Sequence, residues 1–102
     1  MAIPSLAASF ATQTAKGLVL VGFSAEWSVA CNTLDDLLSG ARLQHPSLLV
    51  GRVDIDDDPE LAAAEGVSVV PALVLYREGK AVARLVGLSG AEQVNALLAP
   101  YL

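Results

Sequence analysis

The stretch that most constrains this chain is the apolar run Leu18-Val19-Leu20-Val21-Gly22-Phe23, together with the turn and helical segment into which it leads. Leu and Val alternate over Leu18 to Val21, so both faces of an extended segment there are apolar. Such a strand needs cover on both sides, as in the interior of a parallel sheet. The run stops at a short polar turn carrying Trp27, the only tryptophan. A helical pattern then opens at Ser28, with Cys31, the only cysteine, in its first turn. Leu34, Leu37, Leu38 and Ala41 continue it at helical spacing, while Asp35, Asp36 and Arg42 fall elsewhere. This helix is expected to end near Gln44-His45-Pro46.

The flanking segments keep the same alternation. Residues 5–15 are Ala-rich and favour a helix that Gly17 stops. Residues 48–54 read as a second strand. Asp56-Asp57-Asp58-Pro59-Glu60 reads as a solvated acidic turn opening a short helix, Pro59 to Glu65, which Gly66 ends. It lacks the spaced ligands of a calcium loop, so no metal site is expected there. Ala72 to Tyr76 and Ala81 to Val86 flank Arg77-Glu78-Gly79-Lys80 and predict a β-hairpin with Gly79 at positive φ. Ala91, Val94, Leu97, Leu98 and Tyr101 predict a last helix with Ser89 as N-cap. The order is α-β-α-β-α-β-β-α, an α/β arrangement with right-handed parallel crossovers and an antiparallel hairpin at its end.

Composition narrows the function classes. Of the 102 residues, 54% are hydrophobic and 17% charged, so a single compact domain over 1–102 is expected. The formal charge is −5 and the six basic residues are scattered, which disfavours nucleic-acid binding. The apolar runs fall well short of the roughly 20 residues of a membrane span, and the N-terminal residues lack a basic segment of secretory type. A lone cysteine permits no internal disulfide and fits a cytoplasmic location. One cysteine and one histidine are too few for a structural zinc site. No cofactor is expected.

Four motifs in order resemble the thioredoxin family. Phe23-Ser24-Ala25-Glu26-Trp27 is similar to the family's F-x-A-x-W, and Val53-Asp54-Ile55-Asp56 with Pro59 to its V-D-x-D segment. Val70-Pro71 stands at the position of its cis-proline, and Gly79-Lys80 and Val86-Gly87 match its G-K turn and late glycine. The resemblance spans about Leu18 to Leu98 and implies the thioredoxin fold, a central mixed sheet of about four strands flanked by helices. It also implies redox homeostasis as the setting.

The same resemblance shows what this chain lacks. The family's usual active site is W-C-x-x-C, and Ser28 occupies the first cysteine position. In the family that cysteine attacks a disulfide and the second cysteine resolves the mixed disulfide. A serine hydroxyl without an adjacent base is no useful nucleophile, and His45 lies at the far end of the helix. Ser28 reads more simply as an N-cap. Gly22 replaces the family's buried Asp, Ala30 the motif proline, Asn32 the following lysine, Asp36 the helix-kinking proline and Ala72 the usual Thr. Two-cysteine reductase chemistry is therefore not expected.

Two functions remain open. One is a binding module in which Trp27, Val70, Pro71 and Gly87 form a mostly apolar surface around Cys31 for a peptide or protein partner. In the family, the residue before the cis-proline pairs with an extended peptide, the part Val70 would take. The other is a monothiol thiol-disulfide oxidoreductase acting through Cys31 as its catalytic residue, with glutathione or a thiol-bearing partner. Cys31 also has a plain reading, an inert half-buried thiol, and a third, a ligand in a metal cluster shared with another protein. The missing first cysteine resembles thioredoxin-like domains of multidomain monothiol glutaredoxins and a chaperone-type protein with an S-x-x-C motif.

Overall fold

The computed structural model describes residues 10–25, 27, 33–87 and 90–102. Its elements are α1 (Phe10–Thr14), β1 (Leu18–Ser24), α2 (Leu34–Gln44), β2 (Leu49–Asp54), α3 (Pro59–Ala64), β3 (Ala72–Arg77), β4 (Lys80–Val86) and α4 (Ala91–Leu98). A 3-10 turn, Ala99–Tyr101, follows α4. The expected order is observed. The part of the first helix expected before Phe10, the N-cap role of Ser28 and the placement of Cys31 lie outside the described residues.

The four strands form one mixed sheet in the order β2-β1-β3-β4. β1 runs parallel to β2 and antiparallel to β3, and β3 pairs antiparallel with β4. The alternation along β1 sorts its side chains between two cores. Leu20 joins Leu34, Leu38, Leu73, Leu75 and Leu98 under α2 and α4. Val19, Val21 and Phe23 join Val53, Val74 and Tyr76 on the other side, with Phe10 and Ala62 of α1 and α3. Both faces of β1 are thus covered, as its continuous apolar character requires.

Local chemistry sets the element ends. The Asp58 side chain accepts a hydrogen bond from the Leu61 N–H at 3.0 Å, capping α3 with Pro59 in its first turn. Asp58 thus caps the helix as the acidic turn predicts, while the turn itself is also held by Asp54 at the end of β2, whose carboxylate accepts from the Asp56 N–H at 2.8 Å. The hairpin is tighter than its sequence suggested: its strands extend to Arg77 and Lys80, leaving Glu78-Gly79 as the loop. Both have positive φ, 50° and 85°, which is type I′ geometry. The expectation placed only Gly79 there. Glu78 is held by a reciprocal pair of bonds: its N–H donates to the Gly17 carbonyl, and its carboxylate accepts from the Gly17 N–H. At α4 the N-cap position belongs to Gly90, in extended backbone and without a side-chain cap, rather than to Ser89, which lies outside the described residues.

Candidate functional site

The sheet register gathers the candidate residues at one end of the sheet. Phe23 is opposite Ala72, and Ala72 opposite Val86. The turn leaving β1, the loop entering β3 and the segment leaving β4 therefore emerge side by side. Trp27 lies a few residues beyond β1 and is 69% exposed, with its indole largely in water. The Val70–Pro71 peptide bond is cis. Pro71 is buried, and its carbonyl accepts a hydrogen bond from the Gly87 N–H at 2.9 Å. Gly87 has φ 73°, a conformation that glycine adopts without a Cβ penalty. The Gly87–Pro71 hydrogen bond holds the segment leaving β4 beside the Val70–Pro71 peptide.

Val70 is half-buried, and among the described residues neither its N–H nor its C=O has a hydrogen-bond partner. Backbone groups left open beside an apolar surface are what an added extended segment can pair with. Ser28 and Cys31 lie outside the described residues. His45 closes the C-terminal end of α2, where its N–H donates to the Ala41 carbonyl.

Beneath the surface, Gly22 marks where the resemblance placed a buried acid. A Cβ added to it would come within 2.8 Å of Leu38 Cδ1 and 3.0 Å of Leu34 Cδ2. The two leucines fill that volume, and both are fully buried. A carboxylate at position 22 would displace core packing and face hydrocarbon, at a cost in both terms.

The acids on the other side of the sheet are committed to structure. The Tyr76 hydroxyl donates to the Glu65 carboxylate in a short hydrogen bond that ties the end of α3 to β3. Burial pushes the Tyr76 phenol well above its ordinary range, and the neighbouring Glu65 adds to the effect. Among the described residues no group of three or more His, Cys, Asp or Glu is placed to hold a metal ion.

Sequence reasoning missed the groove beside Pro71. It holds about 70 Å³ and is lined by Gly66, Ser68, Val69, Val74, Arg84 and Val86, among others. Val69 and Val86 are 55% and 61% exposed. The available signal was positional: alternate residues of the edge strand β4 face the side of the sheet that the short helices α1 and α3 cover.

This architecture, with an open apolar surface around a cis-proline, is that of a thioredoxin-fold domain. A family model described as Thioredoxin matches residues 3–99. The chain belongs to the thioredoxin family. A thioredoxin of Chlamydia caviae is 40% identical over 92 residues, 90% of each chain. A thioredoxin of Listeria monocytogenes is 27% identical over 95 residues, 92% of each. Among solved structures, a mutant thioredoxin from Halobacterium salinarum superimposes with a TM-score of 0.87 at 29% identity, covering 98% of this chain and 88% of that one. Mitochondrial thioredoxin 3 of Saccharomyces cerevisiae, at 19% identity and TM-score 0.85, covers 95% of this chain and 94% of that one and shows the same fold. No helix among the described residues is long and apolar enough to cross a membrane.

Proposed function

We propose that this chain is a redox-related member of the family that binds an extended peptide or protein segment at the Trp27–Val70–Pro71–Gly87 surface without two-cysteine disulfide reduction. One observation carries the chemical half: Cys31 is the only cysteine. Dithiol exchange needs a second thiol to attack the mixed disulfide and release the product, and this chain has none to supply. Ser28, at the position of the attacking thiol, offers a hydroxyl with no histidine near it in sequence. Gly22 supports the same conclusion: no proton-shuttling acid stands there, and the Leu34 and Leu38 side chains pack against the space its Cβ would take.

The binding half is supported by the open backbone groups of Val70, the exposed indole of Trp27 and the bond between Gly87 and Pro71. These elements serve a non-covalent role whatever the thiol does. The test is reduction of insulin disulfides with dithiothreitol as electron donor. Activity is expected to equal that of a Cys31→Ala control. Turnover well above the control would overturn the proposal and make Cys31 a monothiol catalyst.

A further inference from the structure

The groove beside Pro71 contains one charged side chain, Arg84, and its position is informative. Val74 pairs with Arg84 and Ala72 with Val86, so Arg84 and Val86 project from β4 to the same side of the sheet. That is the side of Val74, Tyr76 and α3. The Arg84 guanidinium lies over Gly66, where a Cβ would stand 3.6 Å from one of its nitrogens. Gly66 at φ 75° turns the chain out of α3.

Arg84 is exposed, and among the described residues no carboxylate forms an ion pair with it. Glu65 accepts the Tyr76 hydroxyl on one carboxylate oxygen and forms no salt bridge with Arg84, whose positive charge acts on the Tyr76 phenol at longer range. The chain as a whole carries a charge of −5, and the one ion pair among the described residues, Arg52–Asp35, lies between β2 and α2. An exposed guanidinium without a salt bridge among the described residues, in an otherwise uncharged groove, is a complementary site for a carboxylate with aliphatic neighbours.

From this geometry we infer that the groove extends the peptide surface and selects an acidic residue: an extended segment paired at Val70 lays aliphatic side chains on Val69 and Val86 and a carboxylate on Arg84. The inference rests on the peptide-binding reading above. Arg84 is two residues from Val86 along the strand, about 7 Å. The acid therefore sits about two residues along the bound segment from its contact with Val86.

The probe is a phage-displayed library of random heptapeptides, selected in parallel on the wild-type protein and on Arg84→Glu. Wild type is expected to enrich peptides with aliphatic residues and an Asp or Glu at a fixed spacing. Arg84→Glu is expected to keep the aliphatic preference and lose or reverse the acidic one. For a selected acidic peptide, Arg84→Gln should weaken binding about two- to fivefold, the range of one exposed charge pair. Aliphatic enrichment without an acid, or an acidic preference that survives Arg84→Glu, overturns the inference and leaves the peptide-binding reading standing. Failure of both proteins to enrich any sequence overturns both. Circular dichroism of the variants confirms that they fold, since Arg84 is exposed and belongs to neither buried core.

Discussion

The two ends of the sheet are finished in opposite ways. At the hairpin end, Glu78 and Gly17 exchange two hydrogen bonds, and the loop between β3 and β4 is as short as a type I′ turn allows. At the Pro71 end, Val70 leaves its N–H and C=O open among the described residues, and Trp27, Val69 and Val86 stand in water. A chain selected only to fold would close both ends, because open backbone and exposed apolar area contribute nothing to stability. The contrast teaches that the hairpin end is closed by its own hydrogen bonds, whereas the Pro71 end keeps open the backbone groups and apolar area that the proposed partner would use.

The sharpest way to break this comparison is at Gly22, which lies under the Pro71 end. If that end were an ordinary reductase site lacking only one thiol, an acid at position 22 would be accommodated. Gly22→Asp is instead expected to destabilise by about 4 kcal/mol, through overpacking against Leu34 and Leu38 and burial of a carboxyl. Urea unfolding measures it. Next is the hairpin: Gly79→Ala places a Cβ at φ 85° and should cost about 1–2 kcal/mol in the same assay, without changing peptide binding.

Tyr76→Phe should cost about 1 kcal/mol at neutral pH by removing the bond to Glu65. Its effect on pH dependence is more specific. The folded phenol holds its proton above the pH at which the unfolded one, near 10, releases it. The unfolded state then binds fewer protons, so this contribution is complete below about pH 10 and is lost as pH rises further. Wild type should lose stability above about pH 10 more steeply than Tyr76→Phe. The smallest effect on folding belongs to Val86→Ser, within about 0.5 kcal/mol at so exposed a site. It should nevertheless weaken peptide binding measurably, the reverse of Gly79→Ala.

Much of this was legible in the sequence because the strands and helices carry strong periodic signals. Leu18 to Phe23 is apolar on both faces and forms the covered strand β1, and Leu34, Leu38 and Ala41 are buried on α2 as their spacing predicts. Asp58 and Pro59 announce the start of α3 by their own capping chemistry. The departures share a physical cause. Glu78 adopts positive φ because a two-residue hairpin and the bonds to Gly17 demand it, a tertiary requirement that its own preferences oppose. The start of α4 at Ala91, capped by Gly90, is hard to read because an extended glycine carries no capping side chain. At the site, Val70, Pro71 and Gly87 are legible by resemblance. Val69, Arg84 and Val86 are not, since only the sheet register shows that they share a groove.

The most direct test of the central claim, binding without thiol chemistry, is a fluorescence titration of Trp27 with S-carboxymethylated insulin B chain. This is an extended peptide with no free thiol. As the only tryptophan, 69% exposed, Trp27 reports on the surface itself. The account predicts saturable binding with the same Kd in wild type and Cys31→Ala. No saturable change in wild type, or binding that disappears with Cys31, would contradict it.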